Sequence, residues 1–283
     1  MLGALFIIAA VPARGRAQDC PYFPCEDEGV GTGGLSRGAR YAIDVGANAV
    51  IGGLTAGIGR RRSGDSFWSG FARGAAGGGL VFVGKQISAQ RFSGAGVVGR
   101  QTAAVGSSIV NNASAGRPAL SRFVLPVGPV RVYTEPSVGR HRVKLDLASV
   151  VAIGYAVTRP GASLDISSTL SAGAPVFSVS PEWGHRAGHI AGVVLIDASE
   201  RDPADVDDAL AHERVHVLQY DFVSVAWGEP LEQWITSKVP ATRPLYRYID
   251  FGTSAALWGG LNLAVPQRAK PWEREAYLLS GSR

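Results

Sequence analysis

The sequence predicts an α+β fold in three stretches: a glycine-rich helical N-terminal part, an antiparallel β-meander, and a helical module carrying an HExxH helix. Three observations predict it. Of 283 residues 37 are Gly, crowded before residue 120, where small residues recur at helical spacing. From Phe123 to Asp197, short apolar–polar alternations are separated by turn signals. Beyond Asp202 a helical pattern returns and contains His212-Glu213-Arg214-Val215-His216. With 46% hydrophobic and 18% charged residues the chain can bury a sizeable core, and its length allows one large or two small domains. The net charge of +5 is spread along the chain, and its one basic run, Arg60-Arg61-Arg62, has no interleaved aromatics. Nucleic acid is therefore not the expected partner.

Residues 1–17 read as a signal peptide. The apolar run Met1 to Val11 is too short to span a bilayer but suits a signal core, and Gly15-x-Ala17 offers small residues for cleavage before Gln18. The expected location is outside the cytoplasm: periplasmic, envelope-associated or extracellular. In the linker 18–35, Cys20 and Cys25 are the chain's two cysteines, and so close a pair in an exported chain is expected to form a local disulfide. A metal knuckle would need two further ligands, and none is nearby.

Residues 36–120 form the glycine- and alanine-rich region, with helical segments over 36–59, 66–91 and 96–113. Gly70, Gly74 and Gly78 recur every four residues, a spacing that lets helix backbones approach closely. Each glycine lowers helix propensity by about 1 kcal/mol, so these helices depend on a packing partner. Packing on one another is the first expectation, and membrane or envelope contact is the alternative. Arg73, Lys85 and Arg91 interrupt the apolar runs, and no stretch reads as a clean span.

Residues 121–283 are read as the meander plus the HExxH module. Val130–Tyr133, Arg142–Leu147 and Phe177–Val179 alternate, and the β-rich run Val150–Val157 is read as a further strand. Val193–Asp197 is a strand immediately before the HExxH helix. His185 and His189 repeat the four-residue spacing, but Gly184 and Gly188 argue for a loop or strand. Neither is expected to be an obligatory metal ligand, although either could bind an oxyanion from close to the site.

Asp202-Pro203 is a good helix start, and Asp205, Asp207 and Asp208 suit the early turns. On that helix His212 and His216 share one face and can offer two imidazoles to one cation. Glu213 is turned about 100° from His212, placed to act on a metal-activated water without occupying a coordination position. Trp227-Gly-Glu-Pro230 is expected to end the helix. Short helices follow over Leu231–Val239 and Ser254–Val265, the second packed beneath the site. Pro271 begins a last helix on which Glu273 and Glu275 point in different directions, so that one of them faces the metal.

At these two motifs, over about the last 90 residues, the chain resembles the gluzincin zinc metallopeptidases. In that group HExxH is followed on a later helix by a glutamate ligand, often in Glu-x-x-Ala-Asp. Glu273-Arg274-Glu275-Ala276 fits the first four positions, and Tyr277 stands where Asp is common. The resemblance implies a zincin-like module that binds Zn2+ through His212, His216 and Glu273, with Glu275 as the alternative ligand. It also implies Glu213 as general base and a peptide or protein substrate paired along a nearby strand, here Val193–Asp197. With Glu273 as ligand, removal of Glu275 is expected to be mild. The expected function is that of an exported zinc metallopeptidase. The alternatives are a non-catalytic zinc-binding module, suggested by Tyr277, and an envelope- or membrane-associated structural protein.

Overall fold

The computed structural model describes residues 36–183, 187–197, 199, 203–265 and 270–281. The signal-peptide and Cys20–Cys25 expectations, His185 and the Asp202 cap lie outside the described residues.

The chain opens with three long helices, α1 (Arg37–Arg62), α2 (Phe67–Ser88) and α3 (Ala95–Ser114). Ser36 caps the first by accepting the Ala39 N–H at 3.2 Å. α2 packs against both neighbours, and glycines line the two contacts. A Cβ built on Gly74 would stand 2.5 Å from the Ala56 Cβ, and one on Gly77 would stand 2.7 Å from the Gly106 carbonyl oxygen. The close packing expected from the glycine spacing is therefore present. Gly74→Leu should force α1 from α2 and cost about 1–3 kcal/mol, the range for overpacking. Thermal melts would check this, and an unchanged midpoint would mean that the contact yields freely. One expectation changes: α1, with 26 residues, is by length and composition apolar enough to cross a membrane. Its outer face exposes Ile43, Val50, Leu54 and Ile58.

The strand region departs further from the meander. Strands β1 (Phe123–Val127), β2 (Val130–Glu135) and β3 (Arg140–Asp146) are antiparallel neighbours as expected. The next run, Leu147–Val157, is helix α4 rather than a strand. The Asp146 carboxylate accepts the Ala148 and Ser149 N–H groups at 3.1 and 3.2 Å and so caps it. Ala148, Ala152 and Ala156, one helical turn apart, form its buried face, and this spacing overrides the β propensity of the intervening valines.

A second sheet follows α4. It is built from β4 (Ser163–Leu164), β5 (Val176–Val179), β6 (Ala187–Ile190) and β7 (Val193–Asp197), with helix α5 (Ile166–Ala172) between β4 and β5. Its order is β4-β5-β7-β6, and β5 and β7 run parallel. Both sheets are thus four-stranded and mixed, because a later two-residue strand, β8 (Ile249–Asp250), joins β3 in parallel.

The HExxH helix is α6 (Pro203–Val223). Every residue from Ala209 to Ala226 is buried. It does not end at Trp227-Pro230: a π-turn over Ser224–Gly228 leads straight into α7 (Glu229–Lys238). The wider turn accommodates Pro230, which has no N–H to return to the carbonyl four residues back. After the short α8 (Arg243–Tyr246) come α9 (Thr253–Ala264) and α10 (Pro271–Ser280). One core joins Ala56, Val81 and Val110 of the glycine-rich helices to Val194 of β7 and Leu210, Val217 and Leu218 of α6. Helices α2 and α3 therefore form the bed on which the HExxH helix lies, with α1 packed behind them.

Candidate metal centre

His212 and His216 stand one turn apart on α6, 3% and 7% exposed. Buried ion pairs and hydrogen bonds brace the helix. Arg100 of α3 grips Asp221 with bonds of 2.6 and 3.2 Å, and the Tyr220 hydroxyl donates to Asp146 at 3.0 Å. α10 packs against α6 and brings Glu273, in its first turn, to the histidines. Trp272, the residue before Glu273, packs its ring on Trp258 of α9 and donates Nε1–H to Asn262.

Three ligand atoms converge here. His212 Nε2 lies 3.1 Å from His216 Nε2, and Glu273 Oε2 lies 3.4 and 3.2 Å from the two nitrogens. Bonds of about 2.05 Å in a tetrahedron place ligand atoms about 3.3 Å apart, so the three occupy corners that such a cation requires. His212, His216 and Glu273 thus form a candidate metal-binding triad. Burial opposes the Glu273 charge, but in the metal-free protein hydrogen bonds and charge from His212 and His216, when these are protonated, outweigh it and hold the carboxyl far below its usual range. Glu213 is 7% exposed, and burial raises its carboxyl pKa, offset in part by His216 and His212.

The tautomer of His216 follows from its neighbours. Gln219 Nε2 donates to two groups that only accept, the Trp272 carbonyl at 3.1 Å and the Glu275 carboxylate at 2.8 Å. The amide oxygen of Gln219 therefore faces His216 Nδ1, 2.7 Å away, and Nδ1 carries the proton. This leaves the Nε2 lone pair turned toward Glu273 and His212.

Glu275 is not in the triad. Asn48 donates to it at 2.6 Å, Lys85 at 2.7 Å and Gln219 at 2.8 Å, so the alternative ligand is engaged behind His216 instead. Through Gln219 its hydrogen bonding reaches His216 Nδ1. Tyr277 packs its ring 4.5 Å from that of His212. Gln219, Lys85 and Asn48 were missed from the sequence, although two signals pointed to them. Gln219 follows His216 by three residues, on the same helix face. Lys85 interrupts an apolar glycine-rich helix, where a buried ammonium requires an anionic partner.

Asp44 borders this network, and its carboxyl is raised to about 6 by burial and by Glu275, against the pull of Lys85. A folded value above the ordinary 3.8 means that protonation favours the fold, and stability is lost as pH rises from about 4 to 6. Asp44→Asn should therefore melt higher than the parent at pH 8, with the difference vanishing near pH 4. An equal difference at both pH values would remove ionisation as the cause.

His189 sits on β6 with its ring 6.3 Å from that of His216. Its Nε2 accepts the Gly192 N–H at 2.8 Å, so Nδ1 bears the proton. Burial, with His216 and Arg100 nearby, lowers its pKa to about 3 and keeps it neutral. It contributes no atom to the triad. The expected substrate strand β7 lies inside its sheet, hydrogen-bonded to β5 and β6, and has no open edge. The sheet ends in β4 on one side and β6 on the other, and of these two edges β6 is the one next to α6. No protein family, curated protein or solved structure matches this chain.

Proposed function

We propose that the chain is an exported zinc-dependent metallopeptidase of gluzincin type. The observation that carries this reading is the near-equal spacing, 3.1–3.4 Å, of two imidazole nitrogens and a carboxylate oxygen. Two neutral nitrogens and one carboxylate form the ligand set of many catalytic zinc sites, which keep a fourth position for water or substrate. When bound, zinc supplies a Lewis acid that acidifies a water and polarises a carbonyl. Glu213 accepts the water's proton on its carboxylate and returns it to the leaving amine. Gln219 fixes the His216 ring from behind, and Glu275 fixes Gln219. The extended peptide pairs with the edge strand β6 rather than with β7.

Two rivals remain distinct. A non-catalytic zinc module was suggested by Tyr277, and the Gln219–Glu275 support weakens that suggestion. Envelope association is favoured by the exposed apolar stripe of α1 and is compatible with catalysis. Metal analysis of the purified chain and its Glu273→Ala variant, with a peptide-library digest read by mass spectrometry, tests the proposal. Stoichiometric zinc in the parent, its loss in the variant and cleavage by the parent alone are expected. Zinc without cleavage would favour the non-catalytic module, and absence of zinc would overturn both zinc readings.

A further inference from the structure

We propose that a second site, for a small oxyanion, lies on the far side of α6 from the metal triad. Arg214 stands two residues from both His212 and His216, so it points roughly 200° around the helix from each. It is 5% exposed. Its guanidinium donates to the Ser171 hydroxyl at 2.8 Å and to the Gln90 carbonyl at 3.4 Å, while Nε has no acceptor. No carboxylate among the described residues forms an ion pair with it. Other deeply buried cations differ: Lys85, Arg100, Arg122, Arg131 and Lys144 each hold a carboxylate. Removing a carboxylate from a buried ion pair is strongly destabilising because it leaves the other charge uncompensated. Arg214 has only the more distant charge of Asp207 to offset its burial and no carboxylate in contact, so a ligand anion would complete its pairing.

A place for the anion exists. Arg214 lines a half-open cleft of about 450 Å³ between α6, α5 and the α2–α3 connection. That volume is within the range of small-molecule pockets, about 300–1,000 Å³. Ser93, Ser167 and Ser171 add hydroxyls to its wall, and Arg91 stands in the wall paired with Asp208. The wall also includes Gly94, the N-cap of the 20-residue α3, whose first turn has no side-chain cap and no acidic residue. An anion there meets a helix dipole as well as a guanidinium. Asp207 shares the wall and repels an anion, so it limits affinity and favours a ligand carrying a donor group of its own. The chemistry shared by the candidate ligands is a phosphate or carboxylate group on a small molecule.

The test uses the whole chain and inorganic phosphate, with sodium chloride at equal ionic strength as reference. Phosphate should raise the unfolding midpoint saturably above the chloride control, and calorimetry should give a matching binding isotherm. Arg214→Met should weaken binding by about tenfold or more, the scale of a charge-assisted hydrogen bond. Asp207→Asn should tighten it, because a like charge is removed. Opposite signs at these two positions are not expected of residues that only hold the fold. If Arg214→Met does not fold, the double change Ser93→Ala and Ser167→Ala takes its place and should weaken binding. Glu273→Ala should keep the phosphate response, which separates this site from the metal centre. Sulfate in parallel with acetate distinguishes a tetrahedral from a carboxylate ligand. The proposal is overturned if phosphate acts no differently from chloride, or if its effect survives Arg214→Met unchanged.

Discussion

Glu213→Gln is expected to abolish peptide cleavage while leaving zinc in place. Glutamine keeps the size and packing of the buried glutamate but cannot accept a proton from water. General-base catalysis is typically worth about 10²–10⁴-fold, so turnover should fall by that much or more. His212, His216 and Glu273 still present three ligand atoms within 3.4 Å of one another, and metal content should match the parent. His212→Ala, His216→Ala and Glu273→Ala should lose metal and activity together, because each removes a coordination bond. Metal analysis beside a peptide assay reads both columns. If Glu213→Gln cleaves as well as the parent, Glu213 is not the base, even with zinc bound. If zinc is bound and neither parent nor any variant cleaves, the non-catalytic module becomes the better account.

Glu275→Ala should be the most destabilising of the single changes considered, reversing the mild effect expected from sequence. It leaves the Lys85 ammonium, 4% exposed, without its carboxylate, and breaking one side of a buried ion pair costs about 3–5 kcal/mol. It also frees Gln219, which orients His216, and loss of such outer support typically weakens metal binding by about 10–100-fold. Denaturant melts with zinc titration separate the two effects. Adding Lys85→Met should recover much of the stability, since no lone charge then stays buried, yet zinc should remain weak. If zinc affinity returns together with stability, the chain from Glu275 to His216 is only structural. If Glu275→Ala releases zinc and Glu273→Ala does not, the ligand assignment moves by two residues.

How much of this was legible in advance depended on the range of the interactions involved. The three glycine-rich helices, α6 and the short helix after Pro271 are set by local periodicity and local stops, and their residues predict them. The same holds for the face shared by His212 and His216, which is a property of one helix turn. Val150–Val157 misled because its valines suit a strand as well as a helix. The Asp146 cap and an alanine face buried against the second sheet decided for helix. The pairing of β5 with β7, which places β7 inside the sheet with β6 at the edge beyond it, joins residues that no local pattern connects.

By itself the sequence determined that two imidazoles and a neighbouring carboxylate would share one buried helix. It also determined that a glutamate of the last helix would be available to them. Only the tertiary structure decided which glutamate. Glu273 and Glu275 differ by roughly 200° around α10, so the docking of that helix on α6 turns one toward the histidines and the other away. The partners that hold Glu275 come from 190 and 227 residues earlier in the chain, on the glycine-rich helices. A carboxylate settles where its charge is best compensated, and for Glu275 that compensation is a lysine and an asparagine that only folding brings near.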